Sequence, residues 1–149
     1  MKRSIKNLLV FLFFGMSISL MSCKDDDNPV SATSYAGTWN LVTFTEKDSN
    51  YTVNAGEPTE MGPGIFITIT GTLILTETRF TLTQSMTLSM SGLPTETEDV
   101  TSTGTYSITG STLTIVLDGT GETETMAISR SDNRVTIEDN EIIMVFEKE

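Results

Sequence analysis

The chain has 149 residues, with nine lysines and arginines against twenty aspartates and glutamates, one cysteine and no histidine. This acidic balance disfavours binding to nucleic acid, to anionic membrane faces and to acidic substrates, because like charges repel. The missing histidine removes the usual general base and a usual zinc and copper ligand, and a single cysteine excludes an internal disulfide.

The first 22 residues have the composition of an export signal. Lys2, Arg3 and Lys6 form a basic start, and the uncharged apolar run LLVFLFFGMSISLM occupies the fourteen residues 8–21. A membrane-spanning helix needs roughly 20 residues, so this pattern predicts a cleaved secretory signal, residues 1–22. Its removal leaves six basic residues against twenty acidic ones and a net charge of −14.

The signal ends at the only cysteine. Leu20-Met21-Ser22-Cys23 resembles the lipobox of bacterial lipoproteins. The resemblance implies that cleavage precedes Cys23 and that its thiol and new amino group carry acyl chains such as palmitate. Two or three chains hold a protein firmly on a membrane, whereas one alone binds marginally. The alternative is an unmodified cysteine beside an ordinary cleavage site.

Charged residues follow the cysteine at once. Lys24, Asp25, Asp26 and Asp27 resemble the acidic export signal of surface-exposed lipoproteins in Bacteroidota-type bacteria. The resemblance implies an outer-membrane lipoprotein displayed on the cell surface, and a periplasm-facing anchor is the alternative. Because like charges also extend a linker, residues 23–35 are interpreted as the lipidated cysteine and an acidic tether, followed by one domain, residues 36–149.

From residue 37 onward, apolar residues alternate with threonine and other polar residues, which is typical of half-buried β-strands. Most connections between the strands are short turns, so neighbouring strands should be antiparallel. An all-β, eight-stranded antiparallel up-and-down barrel is the simplest arrangement, because closure removes exposed edges. A β-sandwich is the alternative. The predicted strands are 37–45, 64–76, 79–90, 101–109, 111–117, 123–129, 134–138 and 141–148.

The domain opens with YAGTWNLVTF, in which Gly37, Thr38 and Trp39 resemble the Gly-x-Trp signature of the lipocalins. The other two lipocalin signatures are absent, so the chain looks like an outlier of that family. The resemblance implies that Trp39 plugs the closed end of the barrel and that a late arginine packs across it. Arg130 and Arg134 are the candidates, although neither lies on the last predicted strand.

Residues 46–63 form the only long connection in this prediction. Long loops in small domains are usually functional or disordered, and in lipocalins the first loop covers the open end of the barrel. The resemblance implies a lid that touches the barrel through Tyr51, Val53 and Met61. A mobile insertion without a role is the alternative.

The inner faces of the predicted strands suggest a function. An eight-stranded barrel has room for side chains or for one small ligand, and methionine suits adaptable apolar pockets. We therefore expect a lipoprotein whose barrel binds a small hydrophobic or amphipathic ligand. A filled interior would favour the alternative, a ligand-free β-module that acts as a surface adaptor for a protein or a glycan. The candidate ligand-binding residues are Phe80, Leu82, Met86, Met90, Tyr106 and Met126.

Nothing in the sequence indicates an enzyme, a metal site or a cofactor. Phosphate-binding glycine motifs are missing, and the candidate carboxylates occupy predicted turns, where solvated charge is the usual state. Asp118 to Glu122 could bind calcium through oxygen ligands, but Asp-Gly between alternating runs predicts a hairpin turn. The turn carboxylates are Glu96, Glu98 and Asp99, and then Asp139 and Glu141.

Overall fold

Ten antiparallel strands and no α-helix make up residues 34–149, the part of the chain that the computed structural model describes. Eight strands match those that the alternation predicts. The two others lie in segment 46–63, where the sequence predicts a loop. The strands are β1 Gly37–Glu46, β2 Tyr51–Asn54, β3 Thr59–Gly62, β4 Ile65–Leu75, β5 Arg79–Met90, β6 Glu96–Thr109, β7 Thr112–Leu117, β8 Thr123–Ser131, β9 Arg134–Glu138 and β10 Ile142–Lys148.

The sheet closes on itself. From β4 to β10 each strand pairs with the next one along the chain, and β10 pairs with β1. The ring is completed by an antiparallel ladder between β1 and β4, which runs from the Gly37–Leu75 pair to the Asn40–Thr72 pair. This closure confirms the eight-stranded antiparallel barrel, and the sandwich alternative is wrong.

The long connection is not a loop but part of the barrel wall. β2 pairs with the second half of β1 through residues 43–46, and β3 pairs with the beginning of β4. Each of these strands has only four residues, too few for alternation to distinguish a strand from a loop. The prediction of a long loop is therefore corrected to a pair of short strands that splay apart at one end of the barrel.

Two further boundaries differ from the prediction. β6 begins at Glu96, five residues before the predicted start at Thr101, because it continues its ladder with β5 as far as the Leu88–Glu96 pair. Glu96, Glu98 and Asp99 thus lie on a strand and not in a turn. The last strand, for which the sequence left both faces open, buries Ile142, Met144 and Phe146, as its burial pattern shows.

In residues 34–149 the hydrophobic core occupies the inside of the barrel. Alternate residues of every long strand point inward, while threonines dominate the outer face. The largest side chains that are fully buried are Trp39, Phe146, Val53 and Val135. Because all ten strands and the core of the described residues lie between Ser34 and Glu149, a protein that starts at Lys24 contains all of them.

Gly104 shows how closely the inner wall is packed. It lies on β6 directly opposite Phe80 of β5 and Leu117 of β7. A β-carbon at position 104 would stand 2.7 Å from Cε1 of Phe80 and would also overlap the carbonyl oxygen of Val116. The ring of Phe80 therefore covers a position where only hydrogen fits.

Gly104→Ala is expected to destabilise the barrel by about 1–3 kcal/mol, because the added methyl group overpacks a site that the backbone itself confines. Gly62→Ala is the matched control, since a β-carbon at position 62 meets nothing within 4 Å. The control should change stability by less than about 1 kcal/mol. Urea unfolding of both variants measures the difference, and equal midpoints would contradict the packing described at Gly104.

Candidate functional site

The base of the barrel is built around Trp39. Its side chain is fully buried, and its Nε1 donates a hydrogen bond of 2.8 Å to the carbonyl oxygen of Tyr35. The guanidinium of Arg130 and the ammonium of Lys148 each lie 5.4 Å from the centre of the indole ring, close enough for cation–π attraction. Gly37 makes room for this arrangement, because a β-carbon there would stand 3.0 Å from Cε of Lys148.

Of the two candidate arginines, Arg130 is therefore the one that packs across Trp39. It comes from β8, two strands before the end of the chain, and the last strand contributes Lys148 instead. Arg134 lies 3.6 Å from a carboxylate oxygen of Glu147. These contacts seal one end of the barrel with a buried aromatic ring under two cations.

The interior is filled. A hollow of about 40 Å³ remains between the side chains of the inner face, which are nearly all apolar there. One water molecule needs about 10–15 Å³, whereas small-molecule sites usually have volumes of about 300–1,000 Å³. The hollow thus has the size of a packing defect and is too small for a ligand in this conformation.

The residues predicted to contact a ligand do point into the barrel. Phe80, Leu82, Tyr106 and Met126 line the small hollow. Met86 is also buried but does not line the hollow, and Met90 is half-buried at the end of β5. The structure therefore places these side chains on one inner surface, where they fill space between neighbouring strands.

One buried polar side chain was missed by the sequence analysis. Gln84 is the buried polar residue of the described core, and its amide nitrogen lies 3.8 Å from the sulfur of Met144. It occupies the inward position between Leu82 and Met86 on β5, so strict alternation could have found it. A neutral amide in an apolar core needs hydrogen-bond partners, and a thioether is a weak one.

The three residues of the predicted lid have different surroundings. Val53 is 2% exposed and belongs to the core, while Met61 is 50% exposed. Tyr51 is half-buried, and its hydroxyl donates to the carbonyl oxygen of Glu60 at 3.1 Å, which links β2 to β3 across the splay. The segment thus closes the side of the barrel.

A second concavity lies on the outer wall, where β1, β4 and β5 meet the end of β2. We call it the outer cleft. Its volume is about 340 Å³, and it is an open depression, not an enclosed cavity. No charged residue lines it. The lining residues are Asn40, Leu41, Ala55, Gly56, Thr70, Gly71, Thr72, Thr83 and Ser85.

The carboxylates considered for metal binding or acid–base chemistry do not converge. Within residues 34–149 there is no group of three or more acidic, histidine or cysteine side chains that could hold a metal ion. Asp139 accepts hydrogen bonds of 2.7 Å from the backbone nitrogens of Glu141 and Ile142, and so stabilises the turn before β10. Asp118 is engaged by Thr103 and Arg79.

The residues predicted to specify attachment and export, Cys23 and Lys24 to Asp27, lie outside the described part of the chain. In the part that is described, no helix has the length and hydropathy that a membrane crossing needs. Searches with this chain against protein-family models, curated proteins and solved structures found no match.

Two carboxyl groups have pKa values displaced in opposite directions. Burial raises the pKa of Glu124, and the charges of Asp139 and Glu122 raise it further. At Asp118, the hydrogen bond from the hydroxyl of Thr103 lowers the pKa, and the guanidinium of Arg79 lowers it again. The fold thus disfavours the charged form of Glu124 and favours the charged form of Asp118.

These displacements predict opposite effects of two charge-removing substitutions. A raised pKa means that Glu124 favours the folded state only at acidic pH, and this benefit is lost as pH rises through its folded pKa. Glu124→Gln should therefore raise the melting temperature near neutral pH. Asp118→Asn should lower it there, because a carboxyl with a lowered pKa stabilises the fold once it is ionised.

Melting temperatures of both variants, measured from neutral pH down to about pH 3, test this pair of predictions. The difference for Glu124→Gln should vanish at the acidic end, where that carboxyl is protonated in the folded and unfolded chains alike. The difference for Asp118→Asn should shrink as the pH falls toward the lowered pKa of Asp118 in the folded chain. If both substitutions raise the melting temperature equally at neutral pH, relief of the overall negative charge is the cause and the local environments described above are refuted.

Proposed function

We propose that this chain is a bacterial lipoprotein, anchored to the outer membrane through Cys23 and exposed on the cell surface, whose lipocalin-like barrel acts through its outer wall as an interaction adaptor. The observation that carries the proposal is the filled interior. A hollow of about 40 Å³ does not accommodate a ligand, while the outer wall offers a cleft of about 340 Å³.

The sequence supports the anchoring half of this proposal. A basic start, an apolar run of fourteen residues and Leu20-Met21-Ser22-Cys23 stand in the order that lipoprotein signals have. Acyl chains on Cys23 would account for the only thiol of the chain, and Lys24 to Asp27 favour display on the surface over a periplasm-facing anchor.

A carrier of small apolar molecules is the second candidate, and one feature of the core favours it. Met86 and Met144 are buried inside the barrel together with Gln84. Methionine repacks easily because its side chain is unbranched and polarizable, and a buried amide could orient a ligand's polar end. A carrier of this kind would have to expand its interior when the ligand enters.

Native mass spectrometry distinguishes the two candidates. The protein from Lys24 onward, which omits Cys23, is purified gently and then soaked with fatty acids, sterols and porphyrins. We expect the bare mass in every case. A stoichiometric non-covalent adduct that disappears on denaturation would refute the adaptor proposal and would also identify the cargo of a carrier.

Leu82→Ala provides a positive control for this experiment. It truncates a buried side chain that lines the hollow, and apolar cavities made in this way stay dry and bind small apolar molecules. The variant should bind benzene or xenon where the wild type does not. The same truncation should cost about 2–5 kcal/mol of stability, so its folding is checked by the emission of Trp39.

Attachment is tested separately by labelling with palmitate in a bacterium that processes lipoproteins. The full chain should incorporate the label and sediment with membranes, while Cys23→Ala should do neither, because the thiol that receives the lipid is gone. Ser22→Ala is the matched control and should remain labelled, since a small residue still precedes the cysteine.

Surface display has its own readout in the same cells. External protease should degrade the wild-type protein on intact cells, and it should spare a variant in which Asp25, Asp26 and Asp27 are replaced by asparagine. That variant must keep its palmitate. Equal protease sensitivity of the two proteins would show that the acidic residues are a solvated tether and not an export signal.

A further inference from the structure

The outer cleft owes its existence to an interruption in the sheet. The ladder between β1 and β4 stops at the Asn40–Thr72 pair, and β1 then bulges between Leu41 and Thr43. The end of β2 bridges the gap, since the backbone nitrogen of Ala55 donates to Val42 and that of Gly56 donates to Ile69, each at 2.8 Å. A depression remains below this bridge, bordered by residues of β1, β4 and β5.

The cleft presents hydroxyl and amide groups without charge. Thr70, Thr72, Thr83 and Ser85 contribute four hydroxyls, and Asn40 contributes its amide. The hydroxyl of Thr72 donates to Oδ1 of Asn40 at 3.3 Å, which leaves the amide NH₂ group available to a ligand. Each hydroxyl both donates and accepts hydrogen bonds, and this suits a ligand that is itself rich in hydroxyls.

The wall around the cleft continues the same chemistry. Across β4, β5 and β6 the outward residues stand in matched rows, in which Thr68 faces Thr87 and Thr87 faces Thr97. A second row joins Thr72, Thr83 and Thr101. Among the outward residues within 68–72, 83–87 and 97–101, Asp99 carries the one charge, and it stands opposite Ser85.

This neutrality contrasts with the rest of the molecule. Without its first 22 residues the chain has a net charge of −14, yet the cleft has neither the carboxylates that would attract a cation nor the basic groups that would bind an anion. Leu41 and three small residues, Ala55, Gly56 and Gly71, complete the lining. The chemistry fits a polyhydroxylated, uncharged molecule.

We propose that the outer cleft binds a neutral carbohydrate, with the hydroxyl rows of β4 to β6 extending the contact along an oligosaccharide. The inference rests on the proposed function, because it supplies the partner for an adaptor that acts through its outer wall. Binding is weak, since each hydrogen bond replaces one to water and no aromatic ring lines the cleft to stack on a sugar.

The test is an NMR titration of the ¹⁵N-labelled protein from Lys24 onward. The probes are the neutral trisaccharides of glucose, mannose and N-acetylglucosamine, with a galacturonic acid trisaccharide as the anionic control and a glucosamine trisaccharide as the cationic one. We expect saturable shifts of the backbone amides of Asn40, Gly56, Gly71 and Ser85 with at least one neutral sugar and with neither charged control.

The double variant Thr70→Val/Thr83→Val removes two hydroxyls and keeps the β-branched shape that strands favour. It should weaken binding about tenfold, since each hydrogen bond contributes about 0.5–1.5 kcal/mol and about 1.4 kcal/mol is a factor of ten. Thr105→Val is the matched control on the outer face of β6, away from the cleft, and should bind as the wild type does. Unchanged Trp39 emission shows that each variant is folded.

The inference is overturned if no neutral probe gives saturable shifts at the cleft up to its solubility, or if the double variant binds as well as the wild type. These results leave the proposed function standing when mass spectrometry still finds a bare interior. Conversely, an apolar adduct inside the barrel refutes the adaptor proposal, whereas sugar-induced shifts at the cleft would still establish a carbohydrate site.

Discussion

The whole structure depends on the short ladder between β1 and β4. It joins the first strand of the domain to a strand that begins some thirty residues later, and only four residue pairs, from Gly37–Leu75 to Asn40–Thr72, are in register. Without it the sheet would have two long open edges, which soluble proteins avoid. Trp39 lies within this ladder, so the residue that fills the base of the barrel also belongs to the seam that closes it.

The seam determines what happens above it. Because β1 leaves β4 at Asn40, the remaining backbone of both strands needs other partners, and β2 and β3 supply them. The two short strands diverge from the turn at residues 55–58, and Tyr51 bridges them through Glu60. The splayed wall near the opposite end and the outer cleft are therefore both consequences of the separation of β1 from β4 beyond this ladder.

The sequence predicts the strands well, because the inner and outer residues of this barrel differ so sharply. In β4 the isoleucines and leucines alternate with threonines, and a period of two is then unmistakable. The strand prediction failed where this contrast between inner and outer residues is missing. β3 consists of Thr59, Glu60, Met61 and Gly62, which have no apolar alternation, and it is a strand only because β4 offers an edge for it to pair with.

The contacts that define the site are harder to predict, because they join residues that are distant in the sequence. Arg130 and Lys148 meet Trp39 across intervals of about ninety or more residues, and the Gly-x-Trp resemblance suggests such a contact without choosing the cation. The amino-acid sequence contains no pattern that predicts the outer cleft. Its threonines are the same residue type as those on the rest of the outer wall, and only the separation of β1 from β4 makes them line a depression.

Whether the barrel is hollow also could not be read from the sequence, since large and small inner residues compensate one another. Gly104 faces Phe80, and a β-carbon at Gly71 would contact Leu41 and Gln84. Read singly, these glycines suggest space for a ligand. In the structure, neighbouring side chains pack against these glycines and fill the space. Small residues opposite large ones therefore give a packed interior. In this molecule a concavity of about 340 Å³ lies instead where the sheet is interrupted, in the uncharged cleft on the outside.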